Sequence, residues 1–200
     1  MSEQLSLLAP VRKTDRLFFA LFPDAATAEH IAGLAADLQA RHGLRSQPLA
    51  TERFHITLTH LGDYEGLPRD LVAKAREAGD RVCAAPFAAR FDRAGSFTGR
   101  PRNHPFVLRS SEAETPVTAF QRTLGRAMMG TGLGDKAGPY SPHVTLLYDD
   151  VIIAEHAIDP VSWTAGEFVL VHSLLGRTKH VILERWALTG GAAGPVLDTP

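Results

Sequence analysis

The chain begins its ordered patterning with "RLFFALFP", residues 16–23, an aromatic and aliphatic run halted by Pro23 that predicts a buried strand. The period then changes to that of a helix over residues 25–43, where Ile31, Leu34 and Leu38 recur on one side, Asp24 is placed to cap the start and Gly43 to end it. In "RFHITLTHLG", residues 53–62, Phe54, Ile56 and Leu58 alternate with His55, Thr57 and Thr59, a strand with two unlike faces. His55 and Thr57 share one face, while His60, an odd number of residues on, is expected on the other. Residues 67–85 predict a second helix with Leu67, Leu71, Ala75, Ala78 and Val82 along its stripe. "FAARFDRAGSFTG" and "HPFVLRS" read as strands around a Gly-rich turn. Residues 114–130 read as a third helix, with Val117, Phe120, Leu124, Ala127 and Met128 inward and Gly125 costing about 1 kcal/mol. "SPHVTLLYDD" is another strand, and "GEFVLVHSLLG" with "KHVILERWALTG" a pair joined by a turn at Gly176. Residues 1–14 are expected to be a flexible leader, 15–189 one domain, and 190–200 a flexible tail.

Strand, helix and His-bearing strand occur twice in this series, in matching register. Phe18 and Phe106 are 88 positions apart, and so are His55 and His143 (143 − 55). Architecture is repeated here and wording is not, except in the motif: "HITL" at 55–58 and "HVTL" at 143–146. With 9 His in the chain, His-apolar-Thr-apolar should arise by chance on the order of 0.1 times. One histidine on the polar face of a strand is an ordinary surface residue; the same His and Thr at both repeat positions ask for a reason.

Composition narrows the chemistry. The 200 residues are 44% hydrophobic, enough for a real core, and 21 Lys and Arg against 22 Asp and Glu leave a formal charge of −1. No global basic field marks the chain for long nucleic acid or an anionic membrane. The single Cys83, in an Ala-rich helical stretch, is expected to be a buried, inert thiol. No apolar run reaches the roughly 18 residues that span a bilayer, and no signal peptide is evident, so the cytoplasm is the expected compartment. There is no H-E-x-x-H, C-x-x-C or G-x-S-x-G, and the glycines of "GTGLGDKAG" follow a helix rather than a strand, which leaves a loop and no dinucleotide fingerprint.

Two imidazoles with pKa values near 6.5 can divide the acid and base roles at neutral pH. A threonine hydroxyl beside each can hydrogen-bond an oxygen that gains charge in the transition state. Two His and two Thr across a cleft thus suit proton transfer around a phosphoryl group, with no metal or cofactor.

The doubled motif, with "RLFFALFP", "RAGSFTGRP", "PYSPHVTL" and the closing "LVHSLLGR" and "WAL", resembles the 2H phosphoesterase superfamily, most nearly its bacterial RNA 2′,3′-cyclic phosphodiesterases, also called 2′-5′ RNA ligases. The likeness runs from about Arg16 to Leu188. It implies an α+β, bilobal fold with two antiparallel sheets related by a pseudo-two-fold around a central cleft and helices outside. It also implies hydrolysis of RNA-terminal or nucleoside 2′,3′-cyclic phosphate to a 2′-phosphate. Catalytic residues carried over are His55, protonating the departing 3′ oxygen, His143, activating water, and Thr57 and Thr145, holding phosphate oxygens; either His could take either role. Where many members carry an arginine five residues after the second His, this chain has Tyr148, a substrate-binding candidate that donates one hydrogen bond but brings no charge. Arg100, Arg102, Arg177 and Lys179 are candidates for the missing cation. Arg90, Arg93, Arg100 and Arg102, interleaved with Phe91 and Phe97, form either an RNA-stacking patch or a strand and turn with exposed arginines. RNA ends or small cyclic nucleotides are the expected partners, no membrane is involved, and a monomer is favoured. Reversible 2′-5′ ligation, or a phosphate-binding module with little turnover, stand as alternatives.

Overall fold

A computed structural model describes residues 13–99, 101–134, 140–177 and 179–190. Most of the expected leader and tail, Arg100 and most of the "GDKAG" loop lie outside those residues. The chain is α+β, with strands β1 (Asp15–Leu21), β2 (Ile56–Tyr64), β3 (Phe87–Ser96), β4 (His104–Arg109), β5 (His143–Asp149), β6 (His156–Ala165), β7 (Glu167–Leu174) and β8 (Lys179–Ala187). Three helices, α1 (Ala25–His42), α2 (Arg69–Asp80) and α3 (Pro116–Met129), and a short 3-10 turn at Thr51–Arg53 complete the described elements.

All pairings are antiparallel, in the order β6-β3-β4-β5-β2-β1-β7-β8. The two sheets implied by the resemblance are therefore two four-stranded halves of one sheet, joined at the single pair Ile56↔Val144 between β2 and β5. Because β2 and β5 meet only near their first residues, the halves are staggered end to end. One residue, Gly166, separates β6 at one edge from β7 near the other. Reading outward from the junction, each His strand lies beside the strand that precedes its helix: β2 beside β1, β5 beside β4.

One face of the sheet meets the helices. Leu17, Phe19 and Leu21 of β1, Ile31, Ala35 and Leu38 of α1, and Phe120 and Leu124 of α3 join a core that runs through both halves. Asp24 caps α1 as expected, accepting from the Thr27 amide at 2.8 Å, and Gly43 ends it in the left-handed region at φ 62°. The helix leaves β1 but packs on β5 and β6 of the other half. On the opposite face Phe18, Ala20, Val169 and Val171 make a small apolar floor.

Four expectations need correction. The second helix stops at Asp80; of its expected stripe Ala75 and Ala78 are buried and Leu71 and Val82 pack partly buried on the core, while Leu67 is exposed and Val72 and Gly79 join the buried side. Trp186 packs on the helix at Gly79: a Cβ there would stand 2.3 Å from the indole, so the contact depends on the missing side chain. Cys83 consequently lies beyond the helix and is exposed. Strand β6 has no counterpart in the sequence pattern, because Asp159 and Pro160 interrupt it; as an edge strand pairing only with β3, it accommodates Pro160 beside a register shift. The last correction concerns His60 and belongs to the site.

Candidate active site

The pair Ile56↔Val144 explains why the motif is written twice. In an antiparallel register, one step either side of that pair sets His55 opposite Thr145 and Thr57 opposite His143, all four on the face away from the helices. Two identical His-x-Thr strands crossing head to head thus produce a closed set of two imidazoles and two hydroxyls. A cavity of about 440 Å³ opens on this set, lined also by Arg16, Phe18, Arg53, His60, Tyr148 and His180. All five residues expected from the sequence, Tyr148 included, are brought together here.

The two imidazoles are held alike. His55 Nδ1 is 2.7 Å from the carbonyl oxygen of Arg53, and His143 Nδ1 is 2.8 Å from that of Ser141, in each case two residues upstream. A carbonyl only accepts, so Nδ1 carries the proton and donates, and each Nε2 is left with the lone pair that a base needs. The strand backbone itself thereby fixes the tautomer of both rings.

Their surroundings differ. His55 packs against Phe18 at 5.2 Å, Phe22 at 5.6 Å and, edge-on, His180 at 5.3 Å between ring centroids. Burial is the main cause that depresses its pKa to about 4, with the neighbouring imidazoles His180 and His143 adding to it and the Arg53 carbonyl opposing. His143 meets the edge of Phe97 at 4.8 Å, and burial followed by the nearby Arg109 guanidinium lowers its pKa too. His180 is also lowered, by burial and then by Arg53 and Arg16.

His60 lines the same cavity as His55, against the odd-number rule. Leu58 and Thr59 are both buried, and the β1 to β2 register slips between Phe19 and Ala20, so a bulge inserts one residue and returns His60 to the cleft face. For the same reason Thr59, expected beside Thr57, is buried. His60 lies 2.9 Å from Asp63, which also receives Arg16 at 2.7 and 2.9 Å; these partners hold the Asp63 carboxyl far below its ordinary range.

The cations of the cavity are Arg16 and Arg53, neither of which the motif singles out. Strand parity could have found Arg16, which shares a face with Phe18, whereas Arg53 ends the 3-10 turn ahead of β2. Of the four cations proposed in place of the family arginine, Lys179 lines an adjoining cavity, and neither Arg102 nor Arg177 is among the residues lining the one at the His-x-Thr motifs. In the basic stretch, Phe91 is stacked on Trp163 in the core and Arg90 is paired with Asp92, while Phe97 meets His143. His180 carried no signal: β8 shows no clean alternation of buried and exposed positions.

Among the described residues, no group of three or more His, Cys, Asp or Glu is placed to hold a metal ion, and no helix is long and apolar enough to cross a membrane. No curated protein sequence matches the chain. Among solved structures, E. coli LigT in apo form matches with TM-score 0.68 at 28% identity, over 89% of this chain and 99% of that one. E. coli LigT complexed with 3′-AMP matches with TM-score 0.63 at 28% identity, over 89% and 99%. TT0787 of Thermus thermophilus shares the fold with TM-score 0.69 at 24% identity, over 88% and 98%. The 2′-5′ RNA ligase superfamily model matches residues 22–177, spanning both His-x-Thr strands, and the chain belongs to that superfamily, the 2H phosphoesterases.

Proposed function

We propose that this protein hydrolyses RNA-terminal or nucleoside 2′,3′-cyclic phosphates to 2′-phosphates, without a metal, using His55 and His143 as an acid–base pair. The observation that carries this reading is the crossing of the two strands, which sets two backbone-oriented imidazoles and two threonines around one cavity. One histidine takes a proton from water as its oxygen attacks phosphorus; the P–O3′ bond breaks, and the other histidine protonates the departing 3′ oxygen. Thr57, Thr145 and Tyr148 donate hydrogen bonds to the non-bridging oxygens, and Arg53 supplies charge. Structures of E. coli LigT complexed with 3′-AMP and with phosphate support a nucleotide ligand at such a site.

The environment of the rings supports His55 as the base and His143 as the acid, the reverse of the roles the resemblance implies. A ring packed between two phenyl groups and another imidazole is poorly suited to hold a proton before substrate arrives. A 3′-S-phosphorothiolate analogue, whose thiolate leaves without protonation, should rescue the alanine variant of the acid and not that of the base. Rescue of His55→Ala would restore the other assignment.

The test of the function is incubation with a 2′,3′-cyclic nucleotide and a cyclic-ended oligonucleotide in EDTA, with the phosphate position read by 31P NMR. A 2′-phosphate product is expected. Tight binding without product would make the cleft a phosphate-binding module, an outcome Tyr148 leaves open. The name of the superfamily also favours testing reversible 2′-5′ ligation with cleaved tRNA halves, where joined product would identify the reverse reaction at the same histidines.

A further inference from the structure

Beside the catalytic cavity lies a second one, of about 710 Å³, and Arg53 and His180 line both. Each volume alone falls within the roughly 300–1,000 Å³ of a small-molecule pocket. The pair therefore provides for two linked units, of which only one can react between His55 and His143. The dividing wall is His180, whose two ring nitrogens are shut from solvent and have no hydrogen-bond partner among the described residues. Its ring stands edge-on to Phe18 and to His55, so packing fixes it in place while its polar atoms go unused. With its nitrogens closed off and its ring held by packing, His180 serves the two cavities as a partition.

The rest of the second cavity has the chemistry of a nucleotide unit. Phe22 and Ile182 offer apolar surface on which a base can lie. Of its carboxylates, Asp24 is engaged in capping α1 and Glu167 is paired with Arg185, which leaves Arg53 and Lys179 against Glu52. Two cations at the boundary and rim suit one phosphodiester. Resting on the hydrolytic reading above, we propose that the second cavity binds the nucleotide next to the cyclic end, so that the preferred substrate is an RNA 3′ end of at least two nucleotides. The penultimate base lies on Phe22 and Ile182, and the linking phosphodiester meets Arg53 and Lys179.

The experiment compares kcat/KM for a 2′,3′-cyclic mononucleotide, dinucleotide and trinucleotide that share the same terminal nucleoside, at fixed salt. Stacking of one base predicts a gain of about ten-fold or more from mono- to dinucleotide, and little further gain to the trinucleotide. Lys179→Glu, at an exposed position, should lower the dinucleotide-to-mononucleotide ratio several-fold. Equal kcat/KM for mono- and dinucleotide, or a steady rise with length and no step, would overturn the second site and leave the hydrolytic reading intact. Absence of turnover with all three would remove both.

Discussion

The surroundings of His55 and His143 divide what the repeat imposes from what it leaves free. Strand register and a carbonyl two residues upstream are common to both, and these set position and tautomer. The second layer differs: phenyl rings and an imidazole around His55, one phenyl edge and an arginine near His143. Backbone pairing therefore builds a symmetric constellation, and side chains from unrelated strands make it electrically unequal. Unequal surroundings suit the proposed division of acid and base roles between the two rings.

Removing either ring should abolish the comparison altogether. His55→Ala and His143→Ala should each reduce kcat about 10²- to 10⁴-fold, the usual worth of a positioned acid or base, measured on a cyclic dinucleotide. If one variant kept near-full turnover, that ring would have no part in proton transfer. Acid titration probes the inequality itself. His55 has a folded pKa of about 4 against about 6.5 when unfolded, so below 6.5 the unfolded chain binds a proton that the folded chain refuses. Stability is thus lost as pH falls from 6.5 to 4, by up to about 3 kcal/mol from this residue. Urea unfolding at several pH values should show the slope, and His55→Phe should flatten it. The bell of kcat/KM should likewise centre below pH 6.5, since burial lowers both rings.

Smaller effects test the common layer. Thr57→Val and Thr145→Val should each lower kcat/KM about ten- to a hundred-fold, as for a hydrogen bond to a charged oxygen, with little change in stability measured by urea unfolding. A large difference between the two would show that the substrate phosphate leans toward one half. Smallest is Tyr148→Phe, which removes one neutral donor and should cost a few-fold in kcat/KM.

Much of this was legible in the sequence because period and motif are local. The cap at Asp24, the stop at Gly43 and the four motif residues follow from alternation and side-chain chemistry within short windows. What escaped depended on contacts between distant segments. The bulge that returns His60 to the cleft is a mismatch between β1 and β2, and neither strand announces it alone. Gly79 joins the buried side of α2 through Trp186, more than a hundred residues away. His180 sits at the boundary of two cavities through the pairing of β8 with β7, on a strand whose own pattern is nearly featureless.

The junction at Ile56↔Val144 has a mechanical side as well. One bridging pair cannot by itself fix the gap between two histidines, so the span depends on what crosses from one half to the other. Asp149 at the end of β5 accepts the amides of Arg45 at 2.8 Å and Ser46 at 2.9 Å, and Leu49 donates to the Leu146 carbonyl at 2.7 Å, lashing the segment after α1 to β5. That lashing works like a clasp on a two-leaved book: the text is printed on the facing pages, and it can be read only while the clasp holds them at one angle.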